Sequence, residues 1–218
     1  MSNAGHVFPG GPVVVLELDR IRVSKMSVGP LDNNVYLLQD RETDEQLMVD
    51  AAAEPERILA ELNLGVLVGT VTTHAHPDHF GALGAVIDAT GVESMASAAD
   101  APSIDPRPER LLQHGEHIVF GSSRVEVIEL RGHTDSGVAL LYEGASDEPP
   151  LVFTGDSLFP GGVGKTTGGD DFDQLINDVD NRLFRRLPDA TLILPGHGDN
   201  TTLGSERPHL PEWRERRW

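Results

Sequence analysis

Short apolar runs separated by polar turns recur along most of the chain. Residues 13–18, 35–38, 47–49, 66–72, 125–130, 138–142, 151–154 and 191–194 are brief and rich in β-branched side chains, and they read as strands. A further pair of strands is expected around the turn Gly121-Ser122-Ser123. Helical spacing is rarer. Residues 54–62 carry Pro55 early, where a helix tolerates it, and residues 80–89 follow a His-rich segment. Residues 171–187 place Phe172, Leu175, Ile176, Val179, Leu183 and Phe184 on one stripe, with acids in the first turns and Arg182, Arg185 and Arg186 near the end. That charge order suits the helix dipole.

Strands before, between and after helices, with short early connections, predict an α/β protein whose sheets are covered by helices. Residues 103–108 and 144–150 read as loops within one domain spanning 1–218, with no internal repeat. Residues 1–10 read as tag or flexible chain, Ser2-Asn3-Ala4 being an expression-tag remnant. The tail, 207–218, holds both Trp residues and is either an ordered strap over the core or a loose end.

Composition narrows the function. A hydrophobic share of 39% with 24% charged residues places the chain among globular proteins and not disordered ones. A formal net charge of −18 argues against a broad basic face for nucleic acid and against docking on an anionic membrane. The absence of cysteine excludes disulfides, thiol nucleophiles, iron–sulfur clusters and thiolate-bound zinc, so a metal site must use His, Asp or Glu. No apolar run approaches the ~20 residues of a membrane span, no secretory leader is recognisable, and a cytoplasmic protein acting on a small-molecule substrate is expected.

The segment His74-Ala75-His76-Pro77-Asp78-His79 packs three His and one Asp into six residues. In extended chain His74 and His76 point to one side, and Pro77 then lets Asp78 and His79 turn back toward the same space. Three more candidates each lie just beyond an apolar strand and beside a glycine: His133 in Arg131-Gly132-His133, Asp156 in Gly155-Asp156, and His197 in Pro195-Gly196-His197-Gly198. Sites of α/β sheets lie outside strand ends. Seven donors at four strand ends are what two metal ions with one shared carboxylate need.

These motifs, with Thr73–His79, Gly132-His133-Thr134, Phe153-Thr154-Gly155-Asp156 and Pro195-Gly196-His197-Gly198 in order, resemble the metallo-β-lactamase superfamily, specifically its glyoxalase II-like hydrolases. The resemblance implies a four-layer αβ/βα sandwich with the site at one edge between two sheets. It implies that His74, His76 and His133 bind one metal, that Asp78, His79 and His197 bind a second, and that Asp156 bridges them. Two divalent ions are implied, zinc first, with iron or manganese as substitutes. They would serve a metallo-hydrolase in which a hydroxide bridging the metals attacks a thioester or related ester, with Asp78 steering it. Lys165 stands where the family commonly has Arg, and is expected to bind a substrate carboxylate. The chain departs from the family around His133, where Pro-Gly-His-Thr-Pro-Gly becomes Arg131-Gly132-His133-Thr134-Asp135-Ser136. Only about twenty residues follow His197, short of the helical region with which glyoxalase II binds glutathione, which favours a smaller substrate.

Rival readings are a mononuclear non-haem iron persulfide dioxygenase using His74, His133 and Asp156, and a metal-binding protein without catalysis. His6, His114, His117 and His209 read as structural or exposed. Asp170, Asp171 and Asp173 read as a solvated helix start, because no EF-hand loop surrounds them. A phosphate-binding loop ending at Lys165-Thr166 is rejected, since Phe159 stands where its first glycine must be.

Overall fold

The computed structural model describes residues 6–62, 65–145 and 147–217. The first sheet is β1 (Val14–Glu17), β2 (Ile21–Val28), β3 (Asn33–Asp40), β4 (Glu45–Val49), β5 (Val66–Val71), β6 (Ser94–Ser97) and β7 (Arg110–Leu112), in that spatial order. Its first four strands are antiparallel neighbours, and β4 to β7 run parallel. The second sheet takes β8 (His117–Phe120), β9 (Ser123–Leu130), β10 (Gly137–Tyr142), β11 (Leu151–Gly155), β14 (Leu192–Pro195) and β15 (Thr201–Thr202). Between β11 and β14 the chain forms a small ribbon of β12 (Leu158–Phe159) and β13 (Gly162–Val163). The parallel pair β11/β14 brings two carboxyl ends to one edge.

Burial explains the layering. Leu38, Leu47, Val49, Phe120, Val127, Leu140 and Phe153 form the layer between the sheets, and the Tyr36 ring meets Phe153 edge-on at 5.1 Å. The helices α1 (Pro55–Glu61) and α2 (Leu83–Thr90) cover the outer face of the first sheet through Ile58, Leu83 and Val86. On the second sheet's outer face lies α3 (Gly169–Val179), packing Phe172, Leu175, Ile176 and Val179 against Ile128, Leu130 and Leu141. The result is a four-layer α/β/β/α sandwich, as the resemblance implied.

The expected long helix over 171–187 is interrupted. After Val179 the chain widens into a π-type turn, Asp180–Phe184. The extra residue per turn keeps Leu183 and Phe184 on the buried stripe, where regular α spacing would rotate Phe184 away. The helix expected over 80–89 starts later, because a 3₁₀ turn, Pro77–His79, precedes it.

Of the two alternatives for the tail, the ordered one describes residues 207–217. The short helix α4 (Leu203–Glu206), a 3₁₀ turn and α5 (Leu210–Arg216) deliver Trp213 into the outer core beside Phe184. Trp218 and Ser2-Asn3-Ala4 lie outside the described residues. Within residues 6–10, Val7 is buried and His6 hydrogen-bonds Asp199 at 2.7 Å, so this part packs on the body and is not free chain.

At one end of the sandwich Asp40 ties the sheets together. Its buried carboxylate accepts from Thr43 N (3.0 Å), Ser122 Oγ (2.8 Å) and Ser123 Oγ (2.7 Å), among others. Burial alone would raise its pKa, but these donors outweigh it and bring it down to about 2. Among the described residues no helix is long and apolar enough to cross a membrane.

Candidate metal centre

Five strand ends converge at one edge of the sandwich. The carboxyl ends of β4, β5, β9, β11 and β14 deliver Asp50, His74 to His79, His133, Asp156 and His197 respectively. Beyond β5 the chain bends at His74 and Ala75. The bend, and not the pleat of a continuing strand, brings His74 and His76 together. Backbone bonds Gly196 N–H to Gly155 O (2.9 Å) and Asn34 N–H to Gly196 O (2.7 Å) lock the His197 and Asp156 loops edge to edge. Gly196 is required there, since a Cβ would collide with Asp156 Oδ1 and the His79 ring.

All seven residues named from the sequence meet in this space. His76 Nδ1 lies 2.9 Å from His74 Nε2 and 3.0 Å from His133 Nε2. His79 Nε2 and His197 Nε2 are 3.1 Å apart, and Asp78 Oδ2 is 3.6 and 3.4 Å from them. Asp156 stands between the groups: Oδ1 is 3.5 Å from His79 Nε2, while Oδ2 is 3.7 Å from His133 Nε2 and 3.4 Å from His197 Nε2. Ligand atoms about 2.0–2.1 Å from a tetrahedral ion are separated by about 3.3 Å; the ring nitrogens here lie a little closer, at 2.9–3.1 Å, and the carboxylate oxygens a little farther, at 3.4–3.7 Å from them.

The outer hydrogen bonds fix the tautomers. His133 Nδ1–H donates to Lys165 O (2.6 Å), His197 Nδ1–H to Leu31 O (2.8 Å) and His79 Nδ1–H to Asp50 Oδ2 (2.9 Å). Thr73 Oγ1 donates to Asp50 Oδ2 (2.8 Å), so it accepts from His74 Nδ1–H (3.1 Å). In the neutral rings each of the four Nε2 atoms therefore presents a lone pair to the centre. His79 and His197 aim bare nitrogens at one another, an arrangement that only a cation between them makes favourable. Among the described residues the buried Asp156 Oδ1 also finds no hydrogen-bond partner. On this chemistry the donor set fits metal ions.

Without a metal, electrostatics divide the rings: His74 and His133 favour the neutral form, whereas His79 and His197 hold a proton in the place a cation would take. Burial, reinforced by His79, holds His74 well below the ordinary imidazole range, and burial also lowers His133. Burial would raise Asp156, but the His197 imidazole and the other rings outweigh it and keep it ionised. Burial would lower His197, yet Asp156, the Leu31 carbonyl and Asp78 raise it to about 9. In His79 burial is likewise overcome, chiefly by Asp50, and its pKa rises.

Sequence reasoning missed four supporting residues. Asp50, buried with φ 58°, accepts from Thr73 N (2.7 Å), Thr73 Oγ1 and His79 Nδ1. Asp100 joins the His74–His79 loop to the His133 loop by accepting from Ala75 N (3.0 Å) and Thr134 Oγ1 (2.7 Å). Asn33 Nδ2 donates to Asp78 Oδ2 (2.9 Å). Lys25 is buried and donates to Gly198 O (2.6 Å) and Asn200 Oδ1 (2.9 Å), gripping the loop behind His197. Burial lowers its pKa to about 8 against the pull of Asp199 and Asp32. Asp50 follows an apolar strand as Asp156 does, but without the adjacent glycine, so only half of that signal marks it.

Lys165 is exposed, and it is its carbonyl that touches the centre, through His133. His114, His117 and His209 are exposed and belong to none of the converging groups. Asp171 accepts from Thr167 Oγ1 (2.6 Å) and Asp173 pairs with Arg217 (2.9 Å), so the helix start is tied to its own neighbours.

The family model of the metallo-beta-lactamase superfamily matches residues 28–197. The chain belongs to the metallo-beta-lactamase superfamily. Within this superfamily it is 30% identical over 215 residues to the hydroxyacylglutathione hydrolase GloC of Haemophilus influenzae, covering 88% of this chain and 97% of that one. The structure of ETHE1 from Myxococcus xanthus superposes with a TM-score of 0.74 at 28% identity, covering 88% of this chain and 84% of that one. The structure of TTHA1623 in a di-iron-bound form gives 0.69 at 30% identity, covering 84% and 96%. Superfamily members bind divalent metals, and this chain brings together the His/Asp groups described above.

Proposed function

We propose that this protein is a metal-dependent hydrolase that holds two divalent ions, zinc first, and cleaves a thioester or related ester of a small molecule. The observation that carries the reading is the presence of two three-donor groups, His74/His76/His133 and Asp78/His79/His197, joined by a third, His74/His79/Asp156, in which Asp156 stands between them. The similarity to GloC, a hydroxyacylglutathione hydrolase, supports a thioester as the bond attacked.

Two bound divalent ions would lower the pKa of a water toward ~7 and stabilise negative charge developing on a carbonyl oxygen. His74, His76 and His133 would hold one ion, Asp78, His79 and His197 the other, and Asp156 would serve both. Burial would raise the Asp78 pKa, but the Asn33 amide and the neighbouring imidazoles hold it below the ordinary range, so it stays ionised. With Oδ2 taken by Asn33, Asp78 accepts a hydrogen bond from the attacking water at Oδ1 and orients it. Hydrolysis forms a carbon–oxygen bond and breaks the carbon–sulfur bond, releasing a carboxylic acid and a thiol, with no oxidant needed. Lys165, exposed beside His133, is the first candidate to meet a carboxylate of the substrate, and Arg131 is the second.

The test is turnover of a thioester panel by the zinc-loaded protein and by Asp78→Asn, with metal content and thermal unfolding measured alongside. Loss of turnover by at least ~10²-fold with the fold retained is expected. Near-normal turnover at full metal content removes Asp78 from the mechanism. Oxygen consumption with persulfides by the iron-loaded protein, without thioester turnover, would instead establish the dioxygenase. Neither activity would leave a metal-binding protein.

A further inference from the structure

Beside the centre lies a cleft of about 530 Å³, walled by His76 and His133 on one side and by Arg131, Thr134, Thr167 and Gln174 elsewhere. Arg131 is two residues from His133 and replaces the family's proline. Proline could not make the contact seen here. The Arg131 backbone N–H (3.1 Å) and Nε (2.9 Å) donate to Asp178 Oδ2, and Nη2 donates to Oδ1 (2.9 Å). Asp178 is buried on α3, one turn beyond Gln174 of the cleft wall. Arg182 and Glu129 complete the group, with Arg182 Nη1 3.4 Å and Arg131 Nε 3.8 Å from Glu129 Oε2. Two guanidinium groups thus balance two carboxylates.

One edge of the Arg131 guanidinium is therefore clamped, and the other is free. Among the described residues Nη1 has no hydrogen-bond partner, and 39% of the side chain is exposed. A guanidinium presents its donors in a planar fork that matches a carboxylate. Asp178 has already fixed the rotamer, so little side-chain freedom is lost when a ligand arrives.

We propose that Arg131 determines substrate specificity, its free guanidinium edge receiving a carboxylate on the part of the substrate that lies in the cleft beside His76 and His133. This rests on the hydrolase reading and narrows it to thioesters or esters that carry a carboxylate. Because the surrounding charges balance, recognition comes from directed N–H donors and not from a bare positive field. Asp135 and Asp171 also line the cleft and oppose a second negative charge, so a monoanion is favoured over a dianion. Asp100, also in the wall, is occupied by Ala75 N, Thr134 Oγ1 and Ser136 N.

The experiment compares S-acetylmercaptoacetate and S-acetyl-3-mercaptopropionate with their methyl esters, which keep the thioester and lose the charge. The readout is the ratio of kcat/KM, acid over methyl ester, for the zinc-loaded wild type, Arg131→Gln and Lys165→Gln. The wild type should favour the acid by about tenfold or more at one chain length at least. Arg131→Gln should bring that ratio to about one through KM for the acid, with Lys165→Gln retaining more of it. A folding defect lowers both rates and leaves the ratio. A ratio retained in Arg131→Gln, or a wild-type ratio near one at both lengths, overturns the proposal. The dissociation constants of mercaptoacetate and 3-mercaptopropionate, against those of their methyl esters, give the same ratio without turnover. A binding ratio that depends on Arg131 in a protein that hydrolyses no thioester would sink the hydrolase reading and leave the carboxylate site standing.

Discussion

Asp50→Ala tests how far the centre depends on a residue that touches no substrate. Asp50 accepts three hydrogen bonds, from Thr73 N (2.7 Å), Thr73 Oγ1 (2.8 Å) and His79 Nδ1 (2.9 Å). The threonine hydroxyl can turn to another acceptor, but the Thr73 amide and the His79 ring N–H are buried and would be stranded. At about 1–3 kcal/mol for each stranded donor, the metal-free protein should lose about 3–4 kcal/mol. For a chain of this length that lowers Tm by roughly 10 °C. A second effect is electronic. Without Asp50 the His79 proton is free to move to Nε2, where it competes with a metal. Loss of such an outer partner costs about 10–100-fold in metal affinity. The assay is zinc content at buffered free zinc, with thermal unfolding of the metal-free protein. The expected pattern is one ion retained and one lost at zinc concentrations that saturate the wild type. Unchanged stoichiometry and affinity, with only Tm lowered, would refute the argument that Asp50 sets the His79 tautomer.

Three other perturbations separate parts of the account. Lys25→Met keeps the stem but removes the donors to Gly198 O and Asn200 Oδ1, so the ion nearest His197 should bind about tenfold more weakly while the other is unaffected; titration with cobalt, followed by its visible spectrum, reports each site. His76→Ala and His197→Ala should each abolish one ion and most turnover, whereas the exposed His114→Ala and His117→Ala should keep both, as metal content by mass spectrometry will show. Asp40, held at about 2 from an ordinary 3.8, contributes about 2 kcal/mol that is fully present above pH ~4 and is lost as pH falls toward 2. The Tm gap between wild type and Asp40→Asn, both metal-free, should therefore be widest near neutrality and close near pH 2; a gap independent of pH would contradict the clamp.

The centre was legible because its donors carry a repeated local signature. His133, Asp156 and His197 each follow an apolar strand and sit beside a glycine, and the His74–His79 segment concentrates four donors. Asp50 shares the strand-end signature after Leu47-Met48-Val49, but a single Asp there is indistinguishable from a turn residue without its partners, 23 and 29 residues away. Asp100 carries no local signal at all, since its ties to Ala75 and Thr134 exist only in the folded chain. The strand β2 escapes an apolar-run search because Arg22, Ser24, Lys25 and Ser27 interrupt it, and Lys25 earns its buried place only through the His197 loop. The strand β6, Ser94-Met95-Ala96-Ser97, has little β propensity and is held by its parallel neighbours. Arg131, where the chain departs from the family's proline, carries no local sign of its role, since its ties to Asp178 exist only in the folded chain.

The central claim is a two-ion centre bridged by Asp156. Anomalous diffraction from crystals of the zinc-saturated protein, paired with metal content in solution, tests it most directly. The account predicts two ions per chain, one on His74, His76 and His133, the other on Asp78, His79 and His197, with one Asp156 oxygen toward each. A single ion held by His74, His133 and Asp156, with Asp78 and His197 turned away, would contradict it.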